Sequence, residues 1–152
     1  MGISLVIGGF ITLFWWRESI AAIFRRIPLP VFLLYVFSAT PFIFIEESIN
    51  CIDHGDGSGC TITPWIIGVL LVEVAILGLV VRKMKVASIV WPMVMFSILG
   101  AVWELLFGGL RGVGGPFLLF MFAYVMISYA FLVVVPLTIL LGSKGSAATA
   151  QS

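Results

Sequence analysis

Two glutamates lie inside long apolar stretches of this chain, Glu73 and Glu104. Hydrocarbon penalises a charge, so an ionisable residue within a membrane segment is by default a pointer to function. Glu73 lies near the middle of its stretch, among bulky aliphatic residues. A carboxylic acid at that depth can exchange a proton if water reaches it. We therefore predict Glu73 as the first candidate for a proton or transport site.

Hydroxyl groups are the predicted companions of Glu73. If each apolar stretch is centred in a bilayer, several hydroxyls fall near Glu73 in height or on a face that can converge with it. The predicted set is Ser38, Thr40, Ser97, Tyr124 and Ser128. The alternative is a structural role, because serine and threonine often bond across helices or to carbonyls of their own helix.

A second polar set is predicted near the outer membrane surface, consisting of Glu46, Glu47, Glu104 and Arg111. Arg111 is expected to pair with one of these three carboxylates, since each charge would otherwise be poorly solvated. Glu104 also shares a helix face with small residues, which let another helix approach closely. An interfacial carboxylate bonded to a neighbour is therefore the structural alternative for Glu104.

Two cysteines, Cys51 and Cys60, flank a polar and glycine-rich segment. A disulfide is the predicted state if this loop lies in an oxidising compartment. A metal site with Asp53, His54 and Asp56 is an alternative, although the spacing matches neither the zinc nor the calcium-loop pattern. Unpaired thiols are the third possible state of these cysteines. We assign no metal and no cofactor from the sequence.

These residues must be positioned by apolar helices. Of the 152 residues, 62% are hydrophobic and 10% are charged. Backbone in lipid must satisfy its own hydrogen bonds, which predicts helices rather than open strands. We predict an all-α, polytopic membrane helix bundle in one domain, residues 1–141, followed by a disordered cytoplasmic tail, residues 142–152. The five predicted transmembrane helices cover residues 3–16, 29–45, 64–81, 88–107 and 116–141.

The first apolar stretch is the shortest of the five. A signal peptide is the alternative for it, but no positive charge precedes the stretch and no small-residue cleavage site follows it.

The cations predict the orientation of the bundle. Five spans place Arg111 on one side and the remaining cations on the other: Arg17, Arg25, Arg26, Arg82, Lys83, Lys85 and Lys144. The positive-inside rule then predicts an outer N-terminus, a cytoplasmic C-terminus and an outer loop at residues 48–63. The predicted location is the plasma (inner) membrane of a prokaryote. A net charge of +1 gives no footprint for nucleic acid.

Three function classes follow from these features. The favoured hypothesis is a transporter or channel for a proton-linked or small polar solute, using a midplane carboxylate. The first alternative is a non-catalytic membrane subunit or scaffold that packs partner helices or forms a homo-oligomer. The second is an enzyme acting on a lipid at the outer surface, although no recognisable catalytic motif supports it. The lipid bilayer is the expected partner in every case.

Overall fold

The computed structural model describes the backbone of residues 2–53, 64–84, 86, 88–107 and 110–149. Side chains are described for residues 3–49, 64–84, 86, 88–107 and 110–142. All structural statements below refer to these residues.

The described chain forms five helices and no strand: α1 Gly2–Phe24, α2 Val31–Asp53, α3 Pro64–Lys83, α4 Val90–Leu106 and α5 Pro116–Thr149. Four of them, α1, α2, α3 and α5, are long and apolar enough to cross a membrane. The fifth, α4, is an apolar helix of 17 residues, about 26 Å long. The predicted all-helical, membrane-compatible bundle is confirmed at this level.

Three helices extend eight residues past the ends that the sequence predicts. The first continues from Trp16 to Phe24, because Arg17–Phe24 contains good helix formers and neither proline nor glycine. The second continues from Ile45 to Asp53, so the first six residues of the predicted outer loop 48–63 are helical; residues 46–53 include neither proline nor glycine. The last continues from Leu141 to Thr149, where the sequence predicts a disordered tail. The composition of that segment, with Ala147 and Ala148, is compatible with helix.

The centre of the bundle is α5. Every residue from 128 to 140 is buried, and α1, α2 and α4 all pack against this helix. The remaining helix, α3, packs chiefly against α2 and touches α4 and α5 only slightly. The helix that carries Glu73 is therefore at the periphery of the bundle.

The face of α2 that meets the core repeats every three to four residues, as a packed helix face should. Its buried positions are Leu34, Tyr35, Ser38, Ala39, Phe42, Ile43 and Glu46. Phe42 meets Phe131 of α5 edge to face, with ring centroids 6.0 Å apart. Because lipid is as apolar as these side chains, such van der Waals packing is a main source of helix association. Glu46 continues the same buried face.

One end of the bundle is basic. Arg25, just after α1, donates a hydrogen bond of 2.8 Å to the carbonyl of Thr138 on α5 and lies 3.8 Å from the Glu18 carboxylate. Arg82 of α3 lies over the Phe32 ring of α2, 5.6 Å from its centroid. These contacts bring the ends of α1 and α3, the start of α2 and the later part of α5 together at this end.

The loop between α4 and α5 folds back onto α4. Leu110 is buried, and its N–H donates to the carbonyl of Glu104 at 3.1 Å. Gly112 and Gly115 have φ of +88° and +67°, a region that glycine enters without steric cost. Pro116 then starts α5, as proline favours the first turn of a helix.

Candidate functional site

Glu73 lies at the boundary between the packed and exposed sides of α3. The buried residues of this helix are Leu70, Val74, Gly78 and Val81, and they form the side that meets α2. Ile76 and Val80 are 56% and 46% exposed. The Glu73 side chain is half-buried between these two sides. It is therefore neither sealed in the protein core nor fully turned to lipid.

Glu104 lies in the last turn of α4 and is also half-buried. Ser97, Gly100 and Ala101, which share its helix face, are all buried. A Cβ added at Gly100 would overlap the ring of Tyr129 on α5. The small-residue face of α4 is thus filled by an aromatic ring from the central helix.

Tyr129 places a phenol among the glutamates. Its side chain is buried, and its hydroxyl donates a long hydrogen bond to Glu104 Oε1 at 3.5 Å. The same phenol interacts electrostatically with Glu73 and Glu46. Tyr129 of α5 therefore bonds to Glu104 of α4, and the charges of Glu73 on α3 and Glu46 on α2 act on its hydroxyl.

The carboxylates also interact with one another. In its ionised form, Glu104 would repel the ionised forms of Glu73 and Glu47. We call these four glutamates and Tyr129 the carboxylate site; its members are Glu46, Glu47, Glu73, Glu104 and Tyr129.

The predicted hydroxyl companions of Glu73 have different roles. Ser38 donates to the carbonyl of Tyr35 at 2.9 Å, and Ser97 donates to the carbonyl of Met93 at 2.8 Å. Both bonds stay within one helix, which is the structural alternative raised above. The buried Ser128 hydroxyl has no hydrogen-bond partner among the described residues. Thr40 and Tyr124 are half-buried.

The outer-surface set is brought together only in part. Glu46 is 7% exposed, and Glu47 is half-buried. Both belong to the carboxylate site through Tyr129 or Glu104. Arg111 lies in the α4–α5 loop with an exposed side chain, and its pairing with a glutamate stays a prediction.

The cysteine loop lies outside the described side chains. Only the backbone of Cys51 is described, at the end of α2, and Cys60 lies outside the described residues. The disulfide therefore stays a prediction. Elsewhere, the described side chains contain no group of three His, Cys, Asp or Glu residues arranged to hold a metal ion.

The chain matches no protein-family model, no curated protein and no solved structure.

Sequence reasoning did not single out Tyr129 and did not connect Glu73 with Glu104. A usable signal was present. A tyrosine within an apolar span must place its hydroxyl near a polar partner, and Tyr129 lies 13 residues into α5, which starts at Pro116. The partner itself lies on another helix, so periodicity along α5 could not identify it.

Proposed function

We propose that this protein is a small membrane transporter or channel for protons or a proton-linked, small polar or cationic solute. The observation that carries the proposal is the hydrogen bond from buried Tyr129 to the half-buried Glu104 carboxylate, with a second half-buried carboxylate, Glu73, on α3. Carboxylates inside membrane segments mark ion and proton pathways. Here Glu104 of α4 is bonded to Tyr129 of α5, and Glu73 is on α3, which touches both of these helices.

The chemistry of the site supports a proton relay. Glu73, on the half-exposed edge of α3, would accept or release a proton. The Tyr129 hydroxyl, which donates to Glu104, can also accept a hydrogen bond through its oxygen lone pairs. A proton leaving Glu73 would pass to Tyr129 as the Tyr129 proton moves to Glu104, so the phenol ends unchanged. Glu46 and Glu47 would continue the route along α2.

We also propose the finer membrane arrangement. All five helices would span, with the N-terminus outside and the basic end in the cytoplasm, in the plasma membrane of a prokaryote. The shared basic end of Arg25 and Arg82 supports this orientation.

The competing function classes have less support. A scaffold would need a small-residue groove for a partner helix, whereas the groove of α4 at Gly100 is already filled by Tyr129. A lipid enzyme would need Arg111 and the outer glutamates on one cavity, whereas the Arg111 side chain is exposed.

Proteoliposomes test the proposal. The purified protein is reconstituted with a pH-sensitive dye inside, and a potassium diffusion potential set by valinomycin drives proton entry. We expect Glu73→Gln to lower the proton flux by about tenfold or more, since a positioned proton-transfer group is typically worth at least that much.

The matched control is Glu18→Gln. Glu18 lies at the basic end, where its side chain is 68% exposed beside Arg25. The proton flux of the Glu18→Gln protein should therefore equal that of the wild type. A Glu73→Gln protein with wild-type flux would overturn the role of Glu73. A wild type no faster than empty liposomes would overturn proton transport.

A further inference from the structure

The two helices that carry the central glutamates are held separately. Glu73 is on α3, which packs against α2, and Glu104 is on α4, which packs against α5. Direct contact between α3 and α4 is slight. The distance between the two carboxylates must therefore be set through α2 and α5.

Tyr35 is the contact that joins α2 to the Glu73 segment of α3. Its side chain is 0% exposed, and its hydroxyl donates to the carbonyl of Val74 at 2.7 Å. Val74 directly follows Glu73 in the chain. The hydroxyl of Tyr35 thus fixes the height of the α3 backbone at the position of the carboxylate.

The ring of Tyr35 fixes how closely the two helices approach. A Cβ added at Gly78 would overlap this ring, and Gly78 lies one turn after Val74. The ring therefore occupies a notch in α3 that only glycine leaves open. Hydroxyl and ring together determine the height, the distance and the rotation of α3 against α2.

The path from α2 to Glu104 is equally well packed. Phe42 of α2 meets Phe131 of α5 edge to face, and Tyr129 of α5 lies against Gly100 and reaches Glu104. The α2–α3 interface is the main support of α3 in this path, because α3 touches α4 and α5 only slightly.

We propose that Tyr35 is a positioning residue of the carboxylate site, acting through Val74 and Gly78 to set the place of Glu73 relative to Glu104. The expected effect of Tyr35 on proton flux rests on the proposed function. Its effect on the position of α3 does not, because that position can be measured directly.

The test is a distance measurement in liposomes. Nitroxide labels are attached at Val72→Cys and Trp103→Cys, in a background with Cys51→Ser and Cys60→Ser. Val72 and Trp103 are 59% and 49% exposed and neighbour Glu73 and Glu104 in the chain. Electron–electron double resonance then reports the separation of α3 and α4.

Tyr35→Phe should shift or broaden this distance distribution by about 1–2 Å, the size of a helix displacement. The matched control is Ser38→Ala, which removes another buried α2 hydroxyl, one that bonds only to the carbonyl of Tyr35 in its own helix. Its distribution should match that of the wild type. Gly78→Ala, which pushes the ring out of its notch, should shift the distance at least as far as Tyr35→Phe.

Unchanged distances in both Tyr35→Phe and Gly78→Ala would overturn the proposal, as would equal shifts in Tyr35→Phe and Ser38→Ala. If proton flux is present, its pH profile should also shift in Tyr35→Phe and not in Ser38→Ala. A wild type without flux, but with the expected distance shift, would overturn the proposed function and leave the positioning role standing.

Discussion

The α2–α3 pair and the α4–α5 pair are packed through the same kind of contact, but the tyrosine hydroxyls in the two pairs have different partners. In each pair a buried tyrosine ring lies against a glycine about one turn from a glutamate: Tyr35 with Gly78, and Tyr129 with Gly100. The hydroxyls differ. Tyr35 donates to a backbone carbonyl, whereas Tyr129 donates to the Glu104 carboxylate. One phenol positions a helix, and the other belongs to the carboxylate site.

The surroundings of the two pairs differ as well. Tyr129 is a buried residue of the central helix α5 and meets the Phe96 ring of α4 at a centroid distance of 5.6 Å. The α3 helix has one main neighbour and exposes much of its aliphatic surface. The two half-buried carboxylates, Glu73 and Glu104, therefore belong to helices with very different support.

The largest stability effect should come from the loop that joins α2 to α3. If Cys51 and Cys60 form a disulfide, replacing both by serine should cost about 2–4 kcal/mol, because the bridge restricts the unfolded chain. Chemical unfolding in detergent measures this loss. No change in stability, or alkylation of both thiols without prior reduction, would contradict the bridge and remove a covalent tie from the α2–α3 pair.

Alanine in the two glycine notches should have the next largest effect. Gly100→Ala should destabilise the protein by about 1–3 kcal/mol through overpacking. Gly78→Ala should cost less, because peripheral α3 can move away from Tyr35 more easily than α4 can leave α5. Thermal unfolding in detergent measures both changes.

Gly68→Ala is the control for these variants. Gly68 is an exposed α3 glycine, and a Cβ there would meet nothing within 4 Å. Its replacement should be neutral or slightly stabilising, since alanine is the better helix former. Equal losses at Gly68 and Gly100 would show that ring packing is not the cause.

Removing the hydroxyls of Tyr35 and Tyr129 should have the smallest effect on the free energy of unfolding. It should have the clearest effect on helix position and on proton flux. Tyr35→Phe and Tyr129→Phe should each cost about 0.5–1.5 kcal/mol, the net value of a hydrogen bond. Only Tyr35→Phe should change the distance between labels on α3 and α4, while Tyr129→Phe should change the pH profile of flux without moving a helix. If Tyr129→Phe also changed the distance between the labels, the two phenols would not have different roles.

Much of the fold was predictable from the chain. Apolar stretches located all five helices, and the glutamates stood out because few charges interrupt those stretches. The small residues of α4 predicted a close-packing face, and Gly100 lies on it. Helix ends were less predictable, since the residues of Arg17–Phe24 are compatible both with a continuation of α1 and with a separate segment after it.

The candidate site was only partly predictable. Ser38 and Ser97 were predicted as partners of Glu73 from their expected depth, and each bonds to a carbonyl of its own helix. Tyr129, which interacts with Glu73, Glu104 and Glu46, was identified only once the helices were assembled. Depth can be estimated along one helix, but the direction in which a side chain meets its neighbours depends on several.

The sequence by itself determined that this is a helical, membrane-compatible protein with carboxylates in apolar surroundings. The physical reason is that lipid leaves the backbone no partner except its own helix, so composition alone dictates helices. Only the tertiary structure decided that Tyr129 of α5 bonds to Glu104 and that Tyr35 of α2 bonds to the α3 backbone beside Glu73. Apolar helix faces resemble one another in sequence, and the choice of neighbours is made by the fit of particular side chains, here two tyrosine rings against two glycines.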